Sequence, residues 1–321
     1  MNRSCLLALP VVLCPLALAF QIDGSQGTPV ASARFAAPAR EMPRADLRVD
    51  VPLVLVPVHV ITPLGASVTD LTRDNFKLFE DNVEQAIRTF SKEDAPVSVG
   101  LLFDISGSMR TKMRKAVDAA AEFFKSANPQ DEFFLIEFSD RPKMTVPFTR
   151  DSDELYERLA RSKPFGRTSL YDAMDLALAE MKKANNLRKA IVIVSDGGDN
   201  HSRHTLRQIR SAIREVDVQV YSMGIFEADD AKLTPEEKNG PEVLEDLAQE
   251  SGGRSFIVDK LDDLRSTCAK ISDELRSEYM LGYMPENAVR DGKYRRVKIS
   301  LVSTGKSLKP YYRLGYTAPI N

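Results

Sequence analysis

Along the middle of this chain, long apolar runs alternate with stretches whose apolar positions recur every three or four residues. The run Val97-Ser98-Val99-Gly100-Leu101-Leu102-Phe103 carries no charge, as expected of a strand buried on both faces of a parallel sheet. A helical pattern follows, with apolar residues at Met113, Ala116, Val117, Ala120, Phe123 and Phe124. The same alternation predicts buried strands over 132–138, 189–195, 218–226 and 255–258, with helices over 151–162, 169–184, 206–216, 243–248 and 261–275. Residues 143–148, with Pro142 before them and Pro147 near their end, read as a short edge strand, because proline cannot donate to a ladder. Asp151 and Glu154 are spaced like a capping box, and Gly252-Gly253 stops the helix before it. Between them, Glu227 to Pro241 reads as a polar, acid-bearing loop leaving the C-terminal end of a strand. Six strands with helices between them imply an α/β fold, a doubly wound and mostly parallel sheet.

The two ends of the chain follow another period. From Leu47, Val49, Val51, Leu53 and Leu55 alternate with Val54, Val56, Val58 and Val60, one long strand with His59 on its polar face. Two shorter strands, 76–80 and 84–90, are joined by a turn at Asp81-Asn82. Beyond the α/β region come strands over 279–283, 294–302 and 311–316, with Arg295-Arg296 as ordinary strand-face charge. Neither β segment can bury much alone. The expected organisation is an N-terminal β module over 47–94, an α/β domain over 95–277, and a C-terminal β segment over 278–321 that pairs with 47–94 in a β-sandwich.

Composition narrows the class. A chain of 321 residues has room for about two domains. Its net charge of -2 and its lack of Trp advertise no nucleic-acid surface. Arg3, the apolar stretch Leu6 to Leu18 and the small-x-small Ala17-Leu18-Ala19 read as a signal peptide over 1–19, followed by an Ala/Pro/Ser/Gly-rich flexible linker over 20–46. The apolar run falls short of the ~20 residues a spanning helix needs, so no stable membrane span is expected after cleavage. The expected location is outside the cytoplasm, periplasmic or extracellular. Cys5 and Cys14 would leave with the signal. That leaves Cys268 on the apolar face of Leu261, Leu264, Ile271 and Leu275, with no internal disulfide.

Candidate chemistry concentrates where the first buried strand meets its helix. Asp104-Ile105-Ser106-Gly107-Ser108 presents one carboxylate and two hydroxyls at the strand end, where open α/β sheets bind ligands. These hard oxygens suit Mg²⁺, with Mn²⁺ or Ca²⁺ as alternatives, rather than zinc. They cannot fill an octahedron, and two downstream residues lie at similar strand-end positions: Thr168 in Gly166-Arg167-Thr168-Ser169, and Asp196 in Val194-Ser195-Asp196-Gly197.

With these three segments the chain resembles the von Willebrand factor A-type (VWA) domain family. That family's metal-ion-dependent adhesion site (MIDAS) is built from D-x-S-x-S, a later Thr and a later Asp in a D-G turn. The resemblance implies a Rossmann-like VWA domain whose metal ligands are Asp104, Ser106, Ser108, Thr168 and Asp196, Asp196 acting mostly through water. It further implies a metal with an open position that bridges to a Glu or Asp carboxylate on a protein partner. Across nearly the whole chain, including Asn75-Phe76-Lys77-Leu78-Phe79-Glu80-Asp81 and Tyr279-Met280-Leu281-Gly282-Tyr283, the sequence is similar to exported VWA-related proteins of acidobacteria.

The expected function is thus a metal-ion-dependent protein-binding or adhesion module, not an enzyme: the turn offers hydroxyls but no His or Cys. An alternative is a structural or assembly component of the cell envelope in which the metal only stabilises the loops. A third is a hydrolase using His201 or His204, which read as surface histidines at the polar start of a helix. Asp199 reads equally as a residue behind the metal ligands or as a cap. Arg167, beside Thr168, reads as a solvated side chain ahead of the other reading, a partner for an incoming carboxylate.

Overall fold

Val54–Ile61 (β1) places Val56, Val58 and Val60 on one face and Pro57 and His59 on the other, as the period of two requires. A computed structural model describes residues 53–92, 94–125, 127–226, 234–258, 260–302, 305 and 307–320. The expected signal peptide, the linker and the start of the long first strand lie outside the described residues, as does 227–233.

After β1 come Phe76–Glu80 (β2), Val83–Gln85 (β3) and Ile87–Ser91 (β4). Asp81 and Asn82 both have positive φ, the backbone of a type I′ hairpin turn between β2 and β3. The strand expected over 84–90 does not run through. It breaks at Ala86, β3 pairing with β2 and β4 with a strand near the C-terminus. One apolar-alternating stretch thus feeds two sheets, as strands do at sandwich corners.

The central region contains Val97–Asp104 (β5), Met113–Lys125 (α1), Glu132–Phe138 (β6), Pro142–Thr149 (β7), Ser152–Ala160 (α2), Leu170–Met181 (α3), Arg188–Ser195 (β8), Leu206–Glu215 (α4), Gln219–Ile225 (β9), Pro235–Ser251 (α5), Ser255–Val258 (β10) and Leu264–Arg276 (α6). Its six strands are ordered β10-β9-β8-β5-β6-β7, all parallel except β7. β5, β6, β8 and β9 are buried along most of their length, which is why they read as long apolar runs with charge at few positions, such as Glu132 and Glu137 in β6. One face packs on α1, α2 and α6, the other on α3, α4 and α5. Cys268 is buried on α6 against Met223, and burial pushes its thiol up to about 12.

Two local expectations are corrected. Asp151 caps α2 by accepting the Asp153 N–H, and Glu154 closes no capping box. The segment read as loop up to Pro241 is helical from Pro235, because Thr234 and Glu237 form a capping box and Pro235 occupies the first turn. Pro241 lies inside that helix rather than before it.

Tyr279–Tyr283 (β11), Tyr294–Leu301 (β12), Lys309–Tyr312 (β13) and Gly315–Thr317 (β14) complete the chain. The strand expected over 311–316 is also divided between sheets: β13 pairs with β1 and β14 with β12. The break falls at Arg313-Leu314, and Gly315 opens β14, where a Cβ would lie 2.2 Å from the Arg295 carbonyl oxygen. Two four-stranded antiparallel sheets result, β13-β1-β11-β4 and β14-β12-β2-β3. They share a core of Val56, Val58, Leu78, Tyr279, Leu281, Tyr283, Val297 and Ile299.

Of the buried polar residues of these sheets, His59 and Arg295 depart from the sequence reading. His59 is fully buried because its face of β1 is covered by α6, with Glu274 Oε1 3.8 Å from its Nε2. Arg295 is also buried. It pairs with Glu80 and donates to the Asn287 and Val289 carbonyls.

Candidate functional site

The first strand of the central sheet, β5, lies between β6 and β8, so the chain departs from it in both directions. Such a reversal opens a crevice at the C-terminal strand ends. Asp104 ends β5, and Asp196 follows the last residue of β8, its neighbour in the sheet. Both carboxylates are buried.

Past Asp104 the backbone turns through a single 3₁₀ turn, Gly107–Met109. Asp104 Oδ1 accepts the Ser106 N–H at 2.8 Å, and Oδ2 accepts the Ser195 hydroxyl at 2.6 Å. The Ser106 and Ser108 hydroxyl oxygens lie 3.0 Å apart. A second loop closes over this turn: Phe165 N–H donates to the Ile105 carbonyl at 2.8 Å, and Gly107 N–H to the Gly166 carbonyl at 3.0 Å. Two residues on, the buried Thr168 accepts at its carbonyl the N–H groups of Asn200 (3.1 Å) and His201 (3.0 Å). Its own N–H donates to Asn200 Oδ1 at 3.0 Å. The loop carrying Thr168 is therefore stitched to both neighbours. No hydrogen bond joins the Thr168 hydroxyl to the other four predicted residues.

Behind Asp196, Gly197 adopts φ +75° and approaches Gly240 of α5 so closely that a Cβ would lie 2.5 Å from the Gly240 carbonyl. Only glycine fits this combination of positive φ and close approach.

The charges are unevenly matched. Burial, and then the Asp196 charge, push the Asp104 carboxyl up to about 7, against hydrogen bonds from Ser106 and Ser195 that lower it. Asp196 Oδ1 accepts a long bond from the Gly198 N–H at 3.4 Å, while the buried Oδ2 has no hydrogen-bond partner. The cation beside it is the buried Lys112, its Nζ 3.6 Å from Oδ2. Such an orphaned carboxylate oxygen is costly and calls for a partner. Two carboxylates and nearby hydroxyls, all hard oxygens, could hold a Mg²⁺-like ion with waters completing its shell. Among the described residues no group of three or more His, Cys, Asp or Glu could hold a metal, so the hydroxyls of Ser106, Ser108 and Thr168 would be needed.

Nearby residues take other parts. Asp199 Oδ2 accepts the Tyr171 N–H (3.0 Å) and the Ser202 hydroxyl (2.5 Å), so it caps the start of α3. His204 Nδ1 lies 2.7 Å from Asp172 Oδ1, whose carboxylate also accepts the Arg203 and His204 N–H groups. His201 is exposed, its Nδ1 3.4 Å from Arg167 Nη1. Three contributors escaped sequence reasoning. Ser195 and Asn200 are small polar residues beside a recognised motif, and Lys112 looks like any helix-flanking lysine.

A family of proteins described as von Willebrand factor type A domain matches residues 99–198, the stretch from β5 to just past Asp196. An uncharacterised protein of Borreliella burgdorferi is 21% identical over 185 residues, which is 51% of this chain and 54% of that protein. The chain thus spans about half the length of that curated relative. Among solved structures, a von Willebrand factor type A protein from Catenulispora acidiphila is similar with a TM-score of 0.50 at 14% identity, covering 76% of this chain and 74% of that one. The vWF domain of the type V pili tip protein Mfa5 from Porphyromonas gingivalis gives 0.47 at 12% identity, over 56% and 95%. BatB from Bacteroides thetaiotaomicron gives 0.45 at 18%, over 56% and 100%. At these identities the likeness to the Catenulispora protein speaks to fold alone.

Proposed function

We propose, from the premise that this chain carries a von Willebrand factor type A domain, that the loops at the C-terminal end of its central sheet form a metal-dependent protein-binding surface. Asp104, Ser106, Ser108, Thr168 and Asp196 would hold the ion, Mg²⁺ first among the candidates. When bound, such an ion supplies a concentrated positive charge with a position open to an anionic oxygen. The partner's contribution is then a Glu or Asp carboxylate. The observation that carries this reading is the buried Asp196 Oδ2, left without a hydrogen bond beside a second buried carboxylate.

Binding fits these residues better than catalysis. Hydrolysis needs a base or nucleophile aimed at the reacting atom. His204 is committed to Asp172, and Cys268 is buried on the inner side of α6. Export belongs to the proposal too and rests on residues 1–19; among the described residues no helix is long and apolar enough to cross a membrane.

The test is a pull-down from an envelope extract of the source organism, using the mature protein and its Asp104→Ala variant in Mg²⁺ and in EDTA. Capture by the wild type in Mg²⁺ alone is the expected result. Equal capture under all four conditions would shift the reading to an envelope assembly component in which the ion merely stiffens the loops.

A further inference from the structure

We infer that this loop face selects an acidic protein segment bearing an apolar side chain, by means of an arginine fringe and one presented aromatic ring. The inference rests on the metal-dependent reading above and adds the partner's chemistry to it.

The fringe is built by the same loops that carry the candidate ligands. Arg110 directly follows the 3₁₀ turn of Ser108. Arg167 directly precedes Thr168, and its N–H donates to Asp140 Oδ1 at 2.8 Å, which fixes this loop against the 139–141 turn carrying Arg141. All three arginine side chains are exposed, and none has a carboxylate within ion-pair distance among the described residues. On the flank of the domain the pattern differs: Arg210 and Arg214 are bound to Asp246 and Glu250. Among the described residues Arg167 Nη1 touches only His201 Nδ1, at 3.4 Å, and guanidinium groups without a carboxylate partner favour bidentate recognition of one.

Phe165 adds the apolar element. Its backbone is pinned to Ile105, two residues from Gly107, yet the residue is 53% exposed. An aromatic ring held in water on a stitched loop has apolar area still to bury, worth about 25 cal/mol per Å². Across the crevice the charge reverses. The first turn of α5 brings Glu236 and Glu237 beside Gly198, Glu237 Cγ lying 3.2 Å from where a Gly198 Cβ would stand. The face is therefore polar in the electrical sense, positive at Arg110, Arg141 and Arg167, which outnumber the one carboxylate of Asp140 among them, and negative at the start of α5. An acidic segment is steered across the positive half, one carboxylate towards the candidate ion and its apolar side chain onto Phe165. An anionic polysaccharide offers carboxylates but no apolar side chain for that ring.

The test uses the full mature chain and fluorescence anisotropy with labelled decapeptides. One peptide is rich in Asp and Glu with a central Leu-Phe pair, one is acidic throughout, and one is basic with the same pair. In Mg²⁺ the acidic peptide with the apolar pair should bind best, and more weakly as salt rises. The double variant Arg141→Glu/Arg167→Glu should weaken it by about tenfold or more while the Mg²⁺-induced shift in melting temperature stays unchanged. Phe165→Ser should weaken only the peptide with the apolar pair. The inference is overturned if no acidic peptide binds the wild type, if the arginine variant binds as the wild type does, or if polygalacturonate binds in preference to the peptides. If Asp104→Ala abolishes binding that the arginine variant keeps, the fringe fails and the metal reading stands. The opposite pattern leaves the fringe and removes the metal.

Discussion

Two buried clusters of charge lie at opposite ends of the central sheet, and they are completed in different ways. At the C-terminal strand ends, Asp104 and Asp196 are surrounded by serine hydroxyls and one lysine 3.6 Å away. At the N-terminal ends, where β1 meets α6 and β10, Glu274 is bound directly by Arg254, whose guanidinium lies 4.8 Å from the Phe256 ring centre and 4.9 Å from that of Tyr311. Arg188 donates to the Leu275 and Glu278 carbonyls and offsets the Glu278 charge. Both clusters keep polar atoms without hydrogen bonds, His59 and Glu278 Oε1 among them, so satisfaction does not separate them. Countercharge does. The chain supplies two arginines to the junction, which closes it and holds the β-sandwich on the α/β sheet. At the other end it supplies neutral hydroxyls and a single lysine at 3.6 Å, and leaves the buried Asp196 Oδ2 without a hydrogen bond. A buried charge completed internally acts as a fastening, whereas one left incomplete is what the proposed metal-dependent reading builds on.

This contrast can be broken most forcefully at the junction. Arg254→Met strands Glu274 in a buried site and should lower unfolding free energy by about 3–5 kcal/mol in denaturant titrations, with or without Mg²⁺. Asp104→Ala should behave oppositely: in EDTA its melting temperature should lie near or above the wild type's, since it relieves the repulsion with Asp196. In Mg²⁺ it should lack the added stability, about 2.7 kcal/mol at a hundredfold excess over Kd, that the wild type gains.

The pH dependence of stability sharpens the junction's signature. Burial raises the Glu278 carboxyl to about 7, so its contribution is full below the ordinary carboxylate value and is lost as pH rises towards about 7, at about 1.4 kcal/mol per unit. Glu278→Gln should remove that decline from a stability–pH curve. Burial, reinforced by Arg254, lowers His59 to about 4, so its contribution is full above the ordinary histidine value and is lost as pH falls towards about 4. His59→Gln should flatten the acid limb instead. The smallest effect is expected at Lys112, whose ammonium competes with any cation near Asp196. Lys112→Met should tighten Mg²⁺ binding several-fold by calorimetry, about 1 kcal/mol, because one opposing buried charge is gone.

Much of the α/β fold was legible, for a physical reason. Strands such as Val97–Asp104 and Arg188–Ser195 are covered by helices on both sides, so burial suppresses charge along nearly their whole length and the runs stand out. The segment Asp104 to Ser108 stood out because strand, turn and helix each announced themselves around it. Features set by distant partners did not. His59 reads as the polar face of a strand until α6, more than two hundred residues away, covers it. Arg295 reads as surface charge until Glu80 and two carbonyls enclose it. The breaks at Ala86 and at Arg313-Leu314 are invisible because local alternation continues while the hydrogen-bonding partner changes. Lys112 left no mark, since nothing local distinguishes a lysine that turns inwards from one that turns out.

The pairing of β1 with β11 and β13 also has a consequence in time. Val54 lies opposite Tyr283 and Val60 opposite Pro310, whereas all six strands of the central sheet fall between Val97 and Val258. As the chain emerges from its N-terminus, β1 has no neighbouring strand in its sheet until Tyr279–Tyr283 is made, in the last seventh of the sequence. Closing so long a loop is slow relative to local contacts, so the central sheet can assemble while a valine-rich strand waits with both edges unpaired. That waiting strand is an aggregation hazard, and Pro57 and His59 are the residues that interrupt it. Chains interrupted before residue 279 should expose it permanently, which makes this protein's yield unusually sensitive to where synthesis or proteolysis stops.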